Sequence, residues 1–419
     1  MRFSTRIIVF ICYVQFVLCL AALLMHGNSV FGANDGSRWD TIWSLINGHG
    51  YAIDEAPYET VDKVFREGHF YSSKPALLPP IVAGITFLAS KATGLDLVPG
   101  SDYWLIRLVL LTVNFLPFTL LLYSYGKWLL CQSLTDFAKI FCLASAAFGT
   151  FLTTYCITLN NHTVAAIGVF FSVLLLMGIA SGQSTGKSTF FLCGVLTAWG
   201  VANELLAWPF WFFIAACLLK IDSSKMLRFF VPGTLIIAAA FFISTCVATG
   251  NMVPFYLKRQ LYQYPGSYWA QPSGIDATRE SKLTYLFNNT LGHHGIWSLS
   301  PIFVLAFLGM GSKQTSQPIR AGSTILTMIN GVAVLFGTRN YGGACQGARW
   351  FMWLIPLWLF CMPACVDELA QTSRGRLIAT LALLVSFGSV LYGMIAHAPG
   401  PWSTSWIQDC MQNWGLVSY

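Results

Sequence analysis

The stretch "YSSKPALLPP", residues 71–80, sets Lys74 directly before an apolar run that continues through "IVAGITFLASKATG". Whether that run crosses a membrane decides the side on which every later loop lies, and so whether the polar groups of the chain can meet. The surrounding chain has 419 residues, 55% hydrophobic and 10% charged, with a mean hydropathy of +0.61. Soluble domains carry about 25% charged residues, so this composition belongs to a polytopic membrane protein. Aromatic residues reach 15% and include 15 Trp, as expected where many segment ends sit among lipid headgroups. The net charge of +7 then describes topology and not nucleic-acid binding. Most of the 12 cysteines lie in apolar segments without CxxC or Cys/His spacing, which points to no redox or zinc chemistry.

Apolar segments that span, or nearly span, a bilayer fall at 6–26, 103–125, 137–157, 162–181, 189–203, 204–219, 228–249, 298–311, 320–337, 349–366 and 376–396. The expected fold is therefore all-α, with about 11 transmembrane helices in a single integral domain over 1–419. The run Ile7–Met25 is too long for the 7–15-residue apolar core of a signal peptide and reads as an uncleaved first span. Residues 189–219 read as a helical hairpin broken at Asn203 and Glu204. Long polar insertions occur at 27–102 and 250–297, and a short tail follows from 397 to 419.

Charge settles the opening question. If 76–93 stays on one side, the segments 1–6, 126–139, 182–188, 220–228, 312–320 and 367–376 face inward and hold 12 of the 24 Lys and Arg in 55 residues. The other 12 fall among about 170 outward residues, the asymmetry that the positive-inside rule requires. A crossing at 76–93 reverses it. Pro79 and Pro80 at the start of the run, with Ser90 and Lys91 near its end, also suit a helix lying in the interface. The first outer loop thus carries interfacial helices, with Lys74 on the outer face.

Several polar groups then collect on that face. Asp35 in "GANDGSRWDTIWSLINGHGYAI" opens a segment with Trp39, Ile42, Trp43 and Ile46 at helical spacing. A carboxylate there serves as an N-terminal cap, or takes a proton from an acceptor hydroxyl, or holds a divalent metal. Tyr71 and Lys74 sit where a lipid phosphate would lie, a place that a snorkelling lysine also takes. "TLNNHTVAAI" puts Asn160, Asn161 and His162 between two spans, either as a plain turn or as cavity lining. Glu204 sits at the hairpin tip. In "LFNNTLGHHGIWSLSP", His293 and His294 are adjacent, and on a helix they could not face one way, which argues against a two-His metal site. In "GTRNYGGACQGARWFMWLIP", Arg339 and Arg349 bracket a glycine-rich turn, a phosphate cradle or a pair of interfacial arginines.

Taken in order, "NDGSRWDTIWSL", "GHFYSSKPALLP", "GHHGIWSLSP" and "YGGACQGARWFMWLIP" resemble bacterial members of the GT-C glycosyltransferases, related to protein O-mannosyltransferases and the lipid A aminoarabinose transferase. The resemblance implies an enzyme of the bacterial inner membrane with an outward-facing site. It takes a sugar from a polyprenyl-phosphate carrier and passes it to an acceptor, here a lipid or glycan more than a protein. It assigns Asp35 as base or metal-associated carboxylate, and gives Lys74 and Arg349 the carrier phosphate. Arg339, Tyr71, Asn161, His162, Glu204, His293 and His294 are the further substrate-binding candidates. Where the family often has a second loop acid, this chain has Asn160 and Asn161, which leaves the metal open. A transporter or lipid flippase is the alternative from another class. It calls for ionisable groups at mid-membrane, whereas these spans are nearly free of charge. A subunit without activity is a third possibility.

Overall fold

The computed structural model describes residues 2–338, 340–396 and 400–418. Among these residues eight helices are long and apolar enough to cross a membrane: α1 (Thr5–Met25), α4 (Tyr103–Leu130), α5 (Asp136–Ile157), α6 (Asn161–Ala180), α9 (Ser223–Thr249), α12 (Gln317–Gly337), α13 (Arg349–Leu369) and α14 (Ser373–Ile395). The chain is an integral multi-pass membrane protein. Between these lie α2 (Gly32–Ile46), α3 (Leu78–Thr93), α7 (Lys187–Asn203), α8 (Leu205–Ile221), α10 (Lys282–Thr290) and α11 (Ile302–Gly311), and the tail carries α15 (Trp406–Asn413). Three of the eleven expected spans, α7, α8 and α11, fall short of the length of the others. At about 1.5 Å per residue the ten residues of α11 reach roughly half of a 30 Å hydrocarbon core. Pro301 stands before its first turn.

Small residues let the helices approach. A Cβ on Gly309 of α11 would lie 2.0 Å from the Cys361 carbonyl oxygen of α13, and one on Gly194 of α7 would lie 2.1 Å from that of Phe230 in α9. Without a hydrophobic drive between helices in lipid, such close backbone contact is a main source of association. The α13 helix is enclosed on nearly all sides, whereas α9 turns Leu235, Ile236, Ile243 and Val247 outward to lipid.

Helix ends sort onto two faces. On one, Arg107 of α4 donates to the carbonyls of Leu23, His26 and Asn28, capping the end of α1. On the same face Asn161 at the start of α6 reaches the Asn203 carbonyl at the α7–α8 break, and Ser405 reaches that of His293. On the opposite face Asp136 accepts from the Phe3 amide, and Asp367 from Thr135. The loop before α3 is tied to the first face, with Ser72 and Lys74 held against Ser37 and Asp62. Its other end is tied there too, since Asp102 accepts from Ser29 and Tyr58. With both flanks on one face, α3 does not cross, and it packs along α2 and α4.

The first long loop holds an element that apolar periodicity did not announce. Strands β1 (Lys63–Arg66) and β2 (His69–Ser72) pair antiparallel, Lys63 opposite Ser72 and Arg66 opposite His69. The turn residues Glu67 and Gly68 both have positive φ, 53° and 88°, the geometry that matches strand twist in a two-residue hairpin. Its consequence lies at the open end, where Asp62 and Lys74 come together.

Candidate active site

Three cations gather on the face where α3 lies. Lys74 Nζ contacts Asp62 Oδ2 at 2.7 Å, with both side chains 13% exposed. Asp62 also accepts from Asn34 Nδ2 at 3.1 Å. Burial lowers Lys74 to about 8, with Arg38 and Arg349 adding to the fall and Asp62 opposing it. Burial alone would raise Asp62, but the Lys74 ammonium outweighs it and holds the carboxylate below its usual range.

Arg38, one turn after Asp35 on α2, is the second cation. Its Nη1 donates to the Asn34 carbonyl at 2.6 Å and to Asn34 Oδ1 at 2.5 Å, and its Nη2 donates to Asn161 Oδ1. Burial lowers it to about 10, so it stays charged at neutral pH. Nothing in the motif reading singled it out. The available signal was an arginine on the buried face of an amphipathic helix, three residues from an aspartate.

Arg349 is the third. Its guanidinium lies against the turn at Gly342 and Gly343, each with φ +87°, where a Cβ on Gly342 would come within 2.5 Å of Nε. It faces the Trp402 ring at 5.3 Å. Nε is buried without a hydrogen-bond partner, and among the described residues no carboxylate stands within salt-bridge distance. Its charge nevertheless reaches Arg38, Asp62, Lys74, His162 and His294. The cations from the first loop and from the glycine turn are therefore near enough to influence one another's charge. Arg339 lies outside the described residues.

Asp35 is placed differently. Its two oxygens accept the backbone N–H groups of Phe31 at 2.9 Å and Leu159 at 3.2 Å, and the residue has no exposed surface. Burial raises it to about 7 despite those bonds and the Arg38 charge. It locks the start of α2 to the loop before α6. Asn160 caps α6, accepting from the Thr163 amide at 2.7 Å. Among the described residues no group of three or more His, Cys, Asp or Glu could hold a metal ion. The amide and guanidinium neighbours of Asp35 do not fit a divalent cation, and no step below is routed through one.

Of the remaining candidates, Tyr71 lines a cleft with Lys74, Thr41, Thr245 and Phe255. An adjoining cleft at Pro79 carries Arg38, Pro75, Leu159 and Asn161. His162 Nδ1 meets Glu204 Oε2 at 2.5 Å. His293 and His294 follow the end of α10 in a non-helical turn, so their Nδ1 atoms face each other at 2.5 Å. Burial lowers His293 to about 4, and burial with the neighbouring His293 holds His294 well below its usual value, which makes them neutral rings and not phosphate-binding cations. The second long loop adds Asp276, which accepts from Tyr268 at 3.0 Å. Its other oxygen is buried without a partner, and Asp62, Arg349 and Lys74 are within reach of its charge. Neither Asp62 nor Asp276 stood out among the loop acids, because only folding sets them beside the cations.

No protein-family model matches the sequence, and no curated protein matches it. Solved structures do. Apo ArnT from Cupriavidus metallidurans aligns at TM-score 0.56 and 13% identity over 92% of this chain and 64% of its own. ArnT from the same organism bound to undecaprenyl phosphate aligns at 0.57 and 13% over 93% and 65%. The oligosaccharyltransferase AglB from Archaeoglobus fulgidus, in complex with an inhibitory peptide and a dolichol-phosphate, aligns at 0.50 and 11% over 94% and 56%. The chain spans less than two thirds of the length of these proteins. They show its fold, a polytopic helical membrane architecture that it shares with these proteins.

Proposed function

We propose that the chain is a membrane glycosyltransferase that moves a sugar from a polyprenyl-phosphate carrier to a lipid or glycan acceptor on the outer face. The observation that carries this is the gathering of Arg38, Lys74 and Arg349 in one site, with the Arg349 guanidinium left without a carboxylate. Like charges held together in a partly buried place repel one another unless an anion joins them. A carrier phosphodiester is such an anion, and the guanidinium fork matches its oxygens.

The chemistry then asks little of the protein beyond placement. As the anomeric C–O bond breaks, negative charge grows on the departing phosphate, and fixed cations that need no reorganisation stabilise it. Lys74 is supplied by the hairpin end, Arg349 by the glycine turn, and Arg38 by α2, where Asp35 and Asn161 hold its surroundings in place. Tyr71, Asn161, Glu204 and the two neutral histidines His293 and His294 form the walls on which sugar and acceptor hydroxyls bond. The outward orientation rests on the Lys and Arg asymmetry along the chain, and a bacterial inner membrane is the setting that matches it. The carriers bound in the similar structures, undecaprenyl phosphate in ArnT and dolichol-phosphate in AglB, are of the chemical class that the cations suit.

The test incubates membranes containing the protein with labelled undecaprenyl-phosphate sugars and follows label into lipid and glycan fractions. Transfer by the wild type, with loss in Arg349→Ala and Lys74→Ala, is expected. No transfer by the wild type, or equal transfer by all three, removes the assignment.

A further inference from the structure

A transfer of this kind needs a group that receives the acceptor proton, and Asp35, with no exposed surface and an amide on each oxygen, is poorly placed to touch an acceptor. From the geometry we infer that His162, oriented by Glu204, is the general base that takes the proton of the acceptor hydroxyl. This rests on the glycosyltransferase assignment above and names the reacting group within that same site.

His162 is the second residue of α6, and Glu204 stands at the break between α7 and α8. Glu204 Oε2 holds Nδ1 at 2.5 Å, so the ring is fixed with the opposite nitrogen pointing away from the carboxylate. Nε2 has no hydrogen-bond partner among the described residues, and it is not among the sealed polar atoms. The side chain is 6% exposed, and a carboxylate on one ring nitrogen with an unbonded second nitrogen is the arrangement that orients an imidazole to accept a proton. The preceding residue, Asn161, lines the cleft beside Pro75 and bonds Arg38. The base thus stands next to the cations that hold the carrier phosphate.

Other charged and titratable groups face the pair from each side: Arg38 from α2, Arg349 from the glycine turn, and Tyr256 from the second long loop toward Glu204. Burial of the ring, the two arginines and the positive end of α6 all disfavour an imidazolium. Glu204 is what favours it. In the step itself the acceptor oxygen bonds to the anomeric carbon as its proton passes to Nε2. The anomeric C–O bond breaks, and its electron pair leaves on the carrier phosphate. The proton rests on the imidazolium beside Glu204 until water or the departing phosphate removes it.

The experiment compares the wild type, His162→Gln and Glu204→Gln in lipid nanodiscs, with two readouts. Undecaprenyl phosphate binding is followed by tryptophan fluorescence, and single-turnover consumption of a labelled undecaprenyl-phosphate sugar is followed against pH. Expected is carrier binding within threefold of wild type for both variants, with turnover down about 100-fold or more in His162→Gln, as removal of a general base predicts. Glu204→Gln should turn over about tenfold more slowly, its acid limb moved to lower pH because the imidazolium has lost its counter-charge. Turnover in His162→Gln within threefold of wild type, with the same pH profile, would overturn the inference while leaving the parent assignment standing. So would parallel loss of binding and turnover, which marks a structural pair. A wild type that binds no carrier and consumes no sugar overturns the parent assignment and this one with it.

Discussion

Removing Arg349 separates holding the fold from holding a substrate. In Arg349→Ala the protein loses a guanidinium with no carboxylate partner among the described residues, whose supports are the Trp402 and Trp350 faces at 5.3 and 5.9 Å. Cation–π contacts at that range are worth about 1 kcal/mol together. The loss is offset by relief of repulsion toward Arg38 and Lys74, so stability without ligand should change by no more than about 1 kcal/mol. Carrier binding should suffer more, since one hydrogen bond to a charged group contributes about 1.5–3 kcal/mol, or roughly 10- to 150-fold in Kd. Undecaprenyl phosphate at about 100 times the wild-type Kd stabilises the wild type by about 2.7 kcal/mol. If the variant binds about 30-fold more weakly, the same concentration stabilises it by only about 0.9 kcal/mol. The assay is unfolding in nanodiscs with and without the carrier phosphate, read beside direct titration. Equal ligand stabilisation of both proteins would refute the phosphate role. A variant several kcal/mol less stable without ligand would show that the guanidinium braces the fold instead.

Lys74 should make carrier affinity fall as pH rises through about 8, where the buried ammonium gives up its proton, and Lys74→Arg should flatten that dependence in the same titration. Lys74→Met alone should destabilise by about 3 kcal/mol, since it strands the buried Asp62 carboxylate. Adding Asp62→Asn should restore most of that loss, and chemical unfolding of the double-mutant set measures the coupling. For Asp35 the folded carboxyl titrates near 7, above its usual 3.8. The folded state therefore binds a proton more tightly than the unfolded chain, and the contribution is full below pH 4 and lost as pH rises through 7. Asp35→Asn should remove that slope, so the stability of wild type relative to variant should fall between about pH 4 and 7. Asn160→Ala should cost about 1 kcal/mol through the lost α6 cap, with carrier affinity unchanged. A matching drop in affinity would place Asn160 in the binding surface.

Much of this architecture was legible because lipid imposes simple rules. Runs of apolar residues longer than about 18 have few alternatives to a spanning helix, and all eight long helices fall on segments recognised by composition. That both flanks of α3 stay on one side came from counting lysines and arginines, and the contacts of Lys74 and Asp102 put those flanks on a common face. The short helices were harder. Apolar character at 298–311 does not reveal that Pro301 leaves a helix of ten residues. The histidines depend on the same kind of local break. A helix would turn adjacent rings apart, but α10 ends at Thr290, and in the non-helical turn that follows the two rings face each other.

Which residues would matter was partly visible, and which would touch was not. Lys74 and Arg349 drew notice as basic residues beside proline and glycine turns, a local property of the chain. Arg38 and Asp62 did not, because their importance is relational. Arg38 is notable through Asn161, 123 residues away, and Asp62 through a hairpin whose Glu67–Gly68 turn folds residue 62 back on residue 74. Residue type and hydropathy are read one segment at a time, so the sequence by itself determined which segments meet lipid and which meet water. Only the tertiary structure decided the partners. A buried polar group must find them wherever packing puts them, and for His162 that place was Glu204, 42 positions along the chain.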